Sequence, residues 1–286
     1  DIPIGETHIV FPMCGFPVNL FEMTDFPDRR LGFDQEADLY EKARPTYPSE
    51  LFDKLINVTG LQTNASVLEI GPGTGQATKV LAKLGYAITA VEIGPNLAAM
   101  AREVLKDYPN VRVVSSAFED VELNDASFDL VLAATAIHWV YEQVRFTKSH
   151  RLLRSNGHLA IIHAEHVSDE QGDRFFEASQ SIYRLHGQSD VDDTFQLPKT
   201  RELRPTTADG ALFDTVYFGI FPLVLLYSAQ AYTDLLNTFS ATRAMPAITR
   251  ESFLEDIRSL IEQEFGGSLQ KHYAMILTVA RKRADG

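Results

Sequence analysis

The chain has 286 residues, 45% of them hydrophobic, and its 39 acidic residues against 26 basic ones give a formal charge of -13. That length holds one sizeable core, or a core plus a smaller appendage, and the acid excess disfavours non-specific attraction to a phosphate backbone. The single cysteine, Cys14, excludes an intrachain disulfide framework and any zinc site built from several cysteines, and no run of 18 apolar residues appears that would suggest a membrane span.

Residues 1–33 read as an N-terminal arm. The part from 1 to 22 has scattered Pro and Gly, little charge and no sustained periodicity. Met23 opens what reads as a fresh start, so 1–22 is expected to be an expression leader, with a native arm packed across the domain as the alternative. The arm lacks the basic start and apolar block of a signal peptide. Helix formers at 34–44 predict a short helix stopped by Pro45. Pro48 and Ser49 open a second, with Leu51, Phe52, Leu55 and Ile56 as its apolar stripe and Gly60 as its stop.

A regular alternation follows. Strands are predicted at 66–71, 87–93, 111–117, 128–136 and 158–164, with helices at 75–85, 95–108 and about 141–154 between them. Apolar strands separated by amphipathic helices predict an α/β chain with a largely parallel sheet covered on both faces. Right-handed crossovers put the ligand crevice at the carboxyl ends of the strands. Residues 165–209 break the rhythm with a helix from Asp169 to Gly187 and a polar, proline-punctuated loop, and read as a cap inserted after strand five. Strand character resumes at 212–227, where Pro222 is expected to end or bend it. Helices near 229–240 and 250–265 and a strand at 271–282 complete the chain. The division is thus 34–164 for the N-terminal helices and ligand-binding core, 165–209 for the cap and 210–286 for the completion of the sheet.

The strongest single feature is VLEIGPGTGQAT, Val67 to Thr78. A buried strand feeds a glycine-rich turn, which feeds a helix. Gly71, Gly73 and Gly75 let the backbone turn tightly and approach a ligand. Such a loop alone also suits a dinucleotide pyrophosphate, or a tight turn with no ligand. Glu69, two residues before the first glycine, is a poor neighbour for a pyrophosphate and a good one for an ammonium or an ordered water. Glu92 ends strand two, where a carboxylate can accept hydrogen bonds from both ribose hydroxyls, and Ile93 beside it can cover an adenine face. The segment SSAFED, Ser115 to Asp120, ends strand three. Its backbone and Glu119 can read adenine edges, and Phe118 offers an apolar wall or core packing.

Together with FDLVLAATAIHW at 128–139 and RLLRSNGHLAII at 151–162, these segments resemble the class I, seven-stranded S-adenosylmethionine-dependent methyltransferases of the small-molecule group, including type 11 methyltransferase-domain proteins. The resemblance spans about 34–164, and 210–282 by layout. It implies a Rossmann-like three-layer sandwich whose last strand is antiparallel. It implies S-adenosyl-L-methionine as cofactor and S-adenosyl-L-homocysteine as product, held by Glu69, Gly71, Gly73, Gly75, Gln76, Glu92, Ile93, Ala117, Phe118, Glu119 and Ala134. The prelude YEKARPTYP, Tyr40 to Pro48, resembles the segment that closes over the cofactor in trans-aconitate-methyltransferase-like proteins. Tyr40 and Arg44 share one helical face. Arg44 could meet a cofactor or substrate carboxylate with Tyr40 donating nearby, or the two could brace the helix against the core. Tyr47 reads as packing.

A sulfonium is already an activated methyl donor, so a general base is needed only when the acceptor holds a proton. No metal is expected. His138, after strand four, is the best base candidate, against the alternative of a loop-ordering histidine. Trp139 could wall the site or pack. His163 and His166 could border it. Phe175, Phe176, Tyr183 and His186 could line an acceptor site or pin the cap. Arg201, Arg204 and Arg243 could meet an anionic acceptor or make surface ion pairs. The expected enzyme is a cytoplasmic monomer or homodimer acting on a small molecule, with a carboxylate or hydroxyl as candidate acceptor, and with no nucleic-acid partner. RNA or protein methylation, a noncatalytic cofactor-binding protein and a nicotinamide oxidoreductase are the competing readings.

Overall fold

The computed structural model describes residue 34 and residues 37–168, 173–188, 196–206 and 208–284. The arm, most of its junction with the first helix and the acidic run at 189–193 lie outside the described residues. Helix α1 is Ala37–Ala43 and α2 is Ser49–Thr59, closed by Gly60 at φ 63, which lets its N–H reach the carbonyl of Ile56. Then come β1 (Ser66–Ile70), α3 (Gln76–Lys83), β2 (Ala87–Glu92), α4 (Pro95–Val104), β3 (Val111–Ser115) and β4 (Phe128–Ala134). A short 3-10 turn at Ile137–Trp139 leads to α5 (Glu142–Leu152) and β5 (Leu153–His166). The remainder is α6 (Arg174–Leu185), a 3-10 turn at Thr200–Glu202, β6 (Phe213–Ser228), α7 (Ala229–Leu236), α8 (Ser240–Ala244), α9 (Ala247–Glu264) and β7 (Ser268–Lys282).

The sheet has seven strands in the order β3-β2-β1-β4-β5-β7-β6. Strands β1 to β5 run parallel, and β7 lies antiparallel between β5 and β6. Strand order reverses at β1, so the crevice opens between the ends of β1 and β4. On one face, Val67, Ala90, Leu130, Leu132 and Leu277 pack under α2 and α3. On the other, Leu68, Val91, Val131 and Ile161 pack under α5. This is the expected sandwich, with the last strand in the chain antiparallel to both its neighbours.

Two expectations change. Strand β5 begins at Leu153 rather than 158, because Phe128 pairs with Leu153 and Leu130 with His158, and the excess residues bulge out around Asn156 at φ 64. Pro222 neither ends nor breaks β6. It pairs opposite Ala274 on a strand with β7 as its sole partner, and an edge strand has no use for a missing outward N–H. The register slips instead between Thr215 and Tyr217.

Helix α6 of the expected cap shares one apolar cluster with α7 and α9. Phe175, Phe176 and Tyr183 are buried there with Tyr232, Leu236, Phe253 and Ile257. The aromatic stripe of α6 is therefore packing. Asp173 caps α6 by accepting the Phe176 N–H at 2.8 Å, and its other oxygen takes the buried ammonium of Lys271 at 2.5 Å. His186 ends the same helix against Asp256, 2.7 Å away.

Candidate active site

The chain turns from β1 into α3 through three left-handed glycines, Gly71 at φ 62, Gly73 at φ 59 and Gly75 at φ 95. A side chain at Gly71 would meet the Cβ of Ala136 at 2.7 Å, and one at Gly75 would meet Leu105 at 2.9 Å. The loop is thus pressed against the end of β4 by contacts only glycine permits. Gly71→Ala combines left-handed backbone with that clash. It is expected to lower stability by about 2–3 kcal/mol and to abolish ligand binding at the loop, as read by thermal unfolding and calorimetry.

Buried polar atoms crowd this turn. The hydroxyl of Thr74 and the amide nitrogen of Gln76 have no hydrogen-bond partner among the described residues, and the buried carboxylate of Glu69 has only the Thr78 hydroxyl beside it. Such groups ordinarily find partners, and their concentration within one strand–turn–helix marks where a polar ligand belongs. Burial pushes the Glu69 carboxyl up to about 7, with Thr78 opposing the shift and Glu92 adding to it.

Glu92, at the end of β2, is also buried. Its Oε2 accepts the Gly73 N–H at 2.9 Å and its Oε1 the Gly94 N–H at 2.9 Å. Each oxygen keeps a further lone pair for a ligand hydroxyl. Burial raises Glu92 to about 7 against these two hydrogen bonds, and Asp34 adds to the rise. Asp34 accepts the Leu97 N–H at 2.8 Å, and so fixes the start of the N-terminal segment to the first turn of α4.

Other expected contacts fall differently. Ile93 and Ala117 keep partly exposed surface, and Ala134 is buried at the end of β4. Phe118 packs in the core cluster under α5, with the Lys148 ammonium 5.2 Å from its ring centre. It takes the packing role, not that of a crevice wall. Glu119 Oε1 accepts the Tyr141 N–H at 2.9 Å, which ties the loop after β3 to the start of α5. Arg44 takes the brace alternative: its Nε donates to Thr238 Oγ1 at 2.9 Å, its Nη2 to the Thr238 carbonyl at 3.0 Å, and its guanidinium covers Phe239 at 4.7 Å. The Tyr40 side chain lies outside the described residues.

Tyr47, expected to pack, does more. Its hydroxyl lies 3.2 Å from Thr135 Oγ1, which itself donates to the Ala134 carbonyl at 2.8 Å, so Tyr47 is the donor. Thr135 sits at φ 53 immediately after β4, a left-handed position that costs a threonine energy and is common at functional sites. Arg44 and Tyr47 thus tie the prelude to two distant parts of the fold.

His138 follows on the 3-10 turn, its ring 5.2 Å from Trp139 and 6.0 Å from His163. Burial, then His163 and Arg145, push its pKa down to about 3. The ring is therefore neutral near pH 7 and a weaker proton acceptor than an exposed imidazole. His163 Nε2 lies 3.2 Å from Glu165 Oε1 on the same face of β5. His166 lies against Tyr273, with ring centres 4.6 Å apart and planes tilted by 57°. Beyond β5 opens a groove of about 520 Å³, lined by Val167, Lys199, Arg201, Pro222, Val224 and His272 among others. Arg204 lies outside it, against backbone carbonyls of its own turn, and Arg243 reaches Asn237.

Comparison with known proteins agrees with this geometry. The family model described as a methyltransferase domain matches residues 68–161. An uncharacterised methyltransferase of Mycobacterium tuberculosis is 29% identical over 234 residues, covering 82% of this chain and 87% of its own length. An uncharacterised methyltransferase-like protein of Schizosaccharomyces pombe is 27% identical, covering 77% and 81%. Among solved structures, one described as a type II methyltransferase from Anaeromyxobacter dehalogenans superimposes with a TM-score of 0.56 at 21% identity, over 83% of this chain and 97% of that one.

Proposed function

Because the chain is a class I S-adenosylmethionine-dependent methyltransferase, we propose that it transfers methyl directly and in line to a small-molecule acceptor bearing a hydroxyl or a carboxylate. The observation that supports a small-molecule acceptor is the groove beyond β5. Its volume, about 520 Å³, is that of a small-ligand site. Val167 on its wall alternates with Glu165 and His163, so the groove continues the sheet face that those two occupy. At the strand rise of about 3.3 Å per residue, it begins roughly 13 Å along β5 from His163. The charge of -13 opposes an RNA acceptor. A cytoplasmic enzyme is part of the same reading, and no described helix is long and apolar enough to cross a membrane.

The residues at the glycine turn fit the cofactor. The buried polar atoms of Glu69, Thr74, Gln76 and Thr78 suit the ammonium and carboxylate of its amino-acid end. Glu92 suits the ribose diol, and Ile93 and Ala117 suit the adenine faces. When bound, the cofactor supplies a methyl group already activated on sulfur. The chain's part is to align the acceptor and exclude water. The prelude, held at Asp34, Arg44 and Tyr47, supports the second task.

Calorimetry with S-adenosylhomocysteine and with NAD tests this reading, followed by a labelled-methyl screen of small acids and phenols. The former ligand should saturate and NAD should not. A ligand ammonium beside Glu69 favours the ionised carboxylate over the protonated form present below about 7. Binding below pH 7 should therefore release protons, and affinity should climb from pH 5 to 7 and then level. Repeating the titration in buffers of different ionisation enthalpy counts those protons. Binding of NAD alone, or no binding by a folded sample, defeats the reading.

A further inference from the structure

We propose that His163 is the general base of this site, positioned by Glu165, and that the acceptor atom therefore carries a proton, as a hydroxyl or phenol does. The inference rests on the methyl-transfer reading above and narrows its acceptor from two classes to the protic one.

Position comes first. The pairing of β4 with β5 ends at Ala134 with Ile162, and the Thr135 N–H closes it on the Ile162 carbonyl at 2.8 Å. His163 is the next residue of β5, the first to stand past the end of β4, where the crevice opens. Alternation with Ile161 places its side chain on the face covered by α5.

Its two ring nitrogens differ. Nε2 meets Glu165 Oε1 at 3.2 Å, and both side chains are close to nine-tenths buried, at 10% and 13% exposure. Nδ1 is buried and has no hydrogen-bond partner among the described residues. A carboxylate this close to Nε2 favours the proton on that nitrogen and leaves Nδ1, which has no partner among the described residues, to carry the lone pair. Glu165 also steadies the imidazolium formed once that nitrogen takes a proton, the logic of a carboxylate-supported histidine base. The charged and titratable neighbours are His138 on the 3-10 turn, with its ring edge-on at 6.0 Å, and Arg145 on α5 beyond it.

The balance closes with the groups named. An acceptor O–H gives its proton to His163 Nδ1 as its oxygen forms the new O–C bond. The electron pair of the broken S–C bond stays on sulfur, so one positive charge passes from sulfonium to imidazolium. A carboxylate acceptor, already ionised, would leave this base idle and would face the charge of Glu165.

The test uses the full chain labelled with 15N-histidine and saturated with S-adenosylhomocysteine. The His163 resonances, identified by their loss in His163→Gln, report which ring nitrogen of the neutral form carries the proton. Expected is a neutral form protonated on Nε2, with that preference lost in Glu165→Gln. A His163 that carries its proton on Nδ1, or whose tautomer ignores Glu165→Gln, overturns the proposal. Labelled-methyl transfer to phenols and matched benzoates adds a second readout. Phenols should react, with a rate that drops roughly 100-fold in His163→Gln at unchanged S-adenosylhomocysteine affinity. Methylation of benzoates alone, or full activity in His163→Gln, also overturns it. If neither probe reacts, the tautomer decides. Failure of the wild type to bind S-adenosylhomocysteine is a failure of the methyl-transfer reading, which the calorimetry separates from failure of the dyad.

Discussion

Glu92→Ala is expected to weaken S-adenosylhomocysteine binding by about two orders of magnitude, or roughly 2.7 kcal/mol, and to lower folding stability separately, because the Gly73 and Gly94 N–H groups lose their acceptor. The two effects separate because Glu92 does two things. It accepts the N–H groups of Gly73 and Gly94 at 2.9 Å each, which sets the shape of the loop. It also keeps lone pairs for the ribose, and removing a charged acceptor from a buried hydrogen bond costs about 1.5–3 kcal/mol. Against this, ionising Glu92 in the free protein is itself unfavourable, since its carboxyl rises from 4.5 to about 7. The sign follows from linkage: the folded state binds this proton more tightly than the unfolded one. The stability that Glu92 contributes is present below pH 4.5 and is lost as pH rises to 7. Glu92→Gln keeps one acceptor oxygen and should fall between the two. Calorimetry at pH 7.5 and thermal unfolding at pH 5 and 7.5 separate the terms.

The largest loss of stability is expected from Asp173→Ala, at about 3–5 kcal/mol. Lys271 is 2% exposed in its side chain, and its ammonium lies 2.5 Å from Asp173. Burial lowers the Lys271 pKa while Asp173 holds it up, so without the carboxylate the ammonium is a buried charge with its counter-ion gone. The same substitution deletes the cap that Asp173 gives α6 through the Phe176 N–H. The thermal midpoint should fall by roughly 10 °C. Asp173→Ala combined with Lys271→Met should recover most of the loss, because it removes the stranded charge along with its partner. A double variant as unstable as the single one would show that the cap, rather than the ion pair, holds α6.

Much of the crevice was legible in the sequence because its chemistry is local. Three glycines in five residues, an acid two residues before them and an acid at the next strand end are neighbours in the chain as well as in space. What failed to show was long-range. Arg44 reads as a ligand-binding cation until Thr238, 194 positions away, is found against its guanidinium. Phe175 and Tyr183 on α6 read as pocket lining until α7 and α9 close over them. Pro222 reads as a strand end until β6 proves to be an edge. His138 has an ordinary histidine's chemistry in the sequence, and its depression to about 3 comes from burial and from His163 and Arg145, none of which the sequence alone displays. Tyr47 was missed for the same reason: its partner, Thr135, is strained backbone that a sequence does not mark. The pairing of His163 with Glu165 did carry a signal, two residues apart on a strand and so on one face.

The place of β7 constrains how the chain can be made. Strands β1 to β5 pair in parallel among themselves, but β6 touches the sheet only through β7, the strand that follows it in the chain. On a ribosome, the far edge of β5 and both edges of β6 stay unpaired until residues 268–282 have emerged. Sixteen residues of β6, Phe213–Ser228, wait through that interval, and they include Val216, Val224 and Leu226, apolar side chains that remain exposed even in the finished sheet. Unpaired apolar strands are where nascent chains stick to one another. Yield during expression should therefore hinge on the speed of translation from the end of β6 to the end of β7 rather than on the stability of the finished fold.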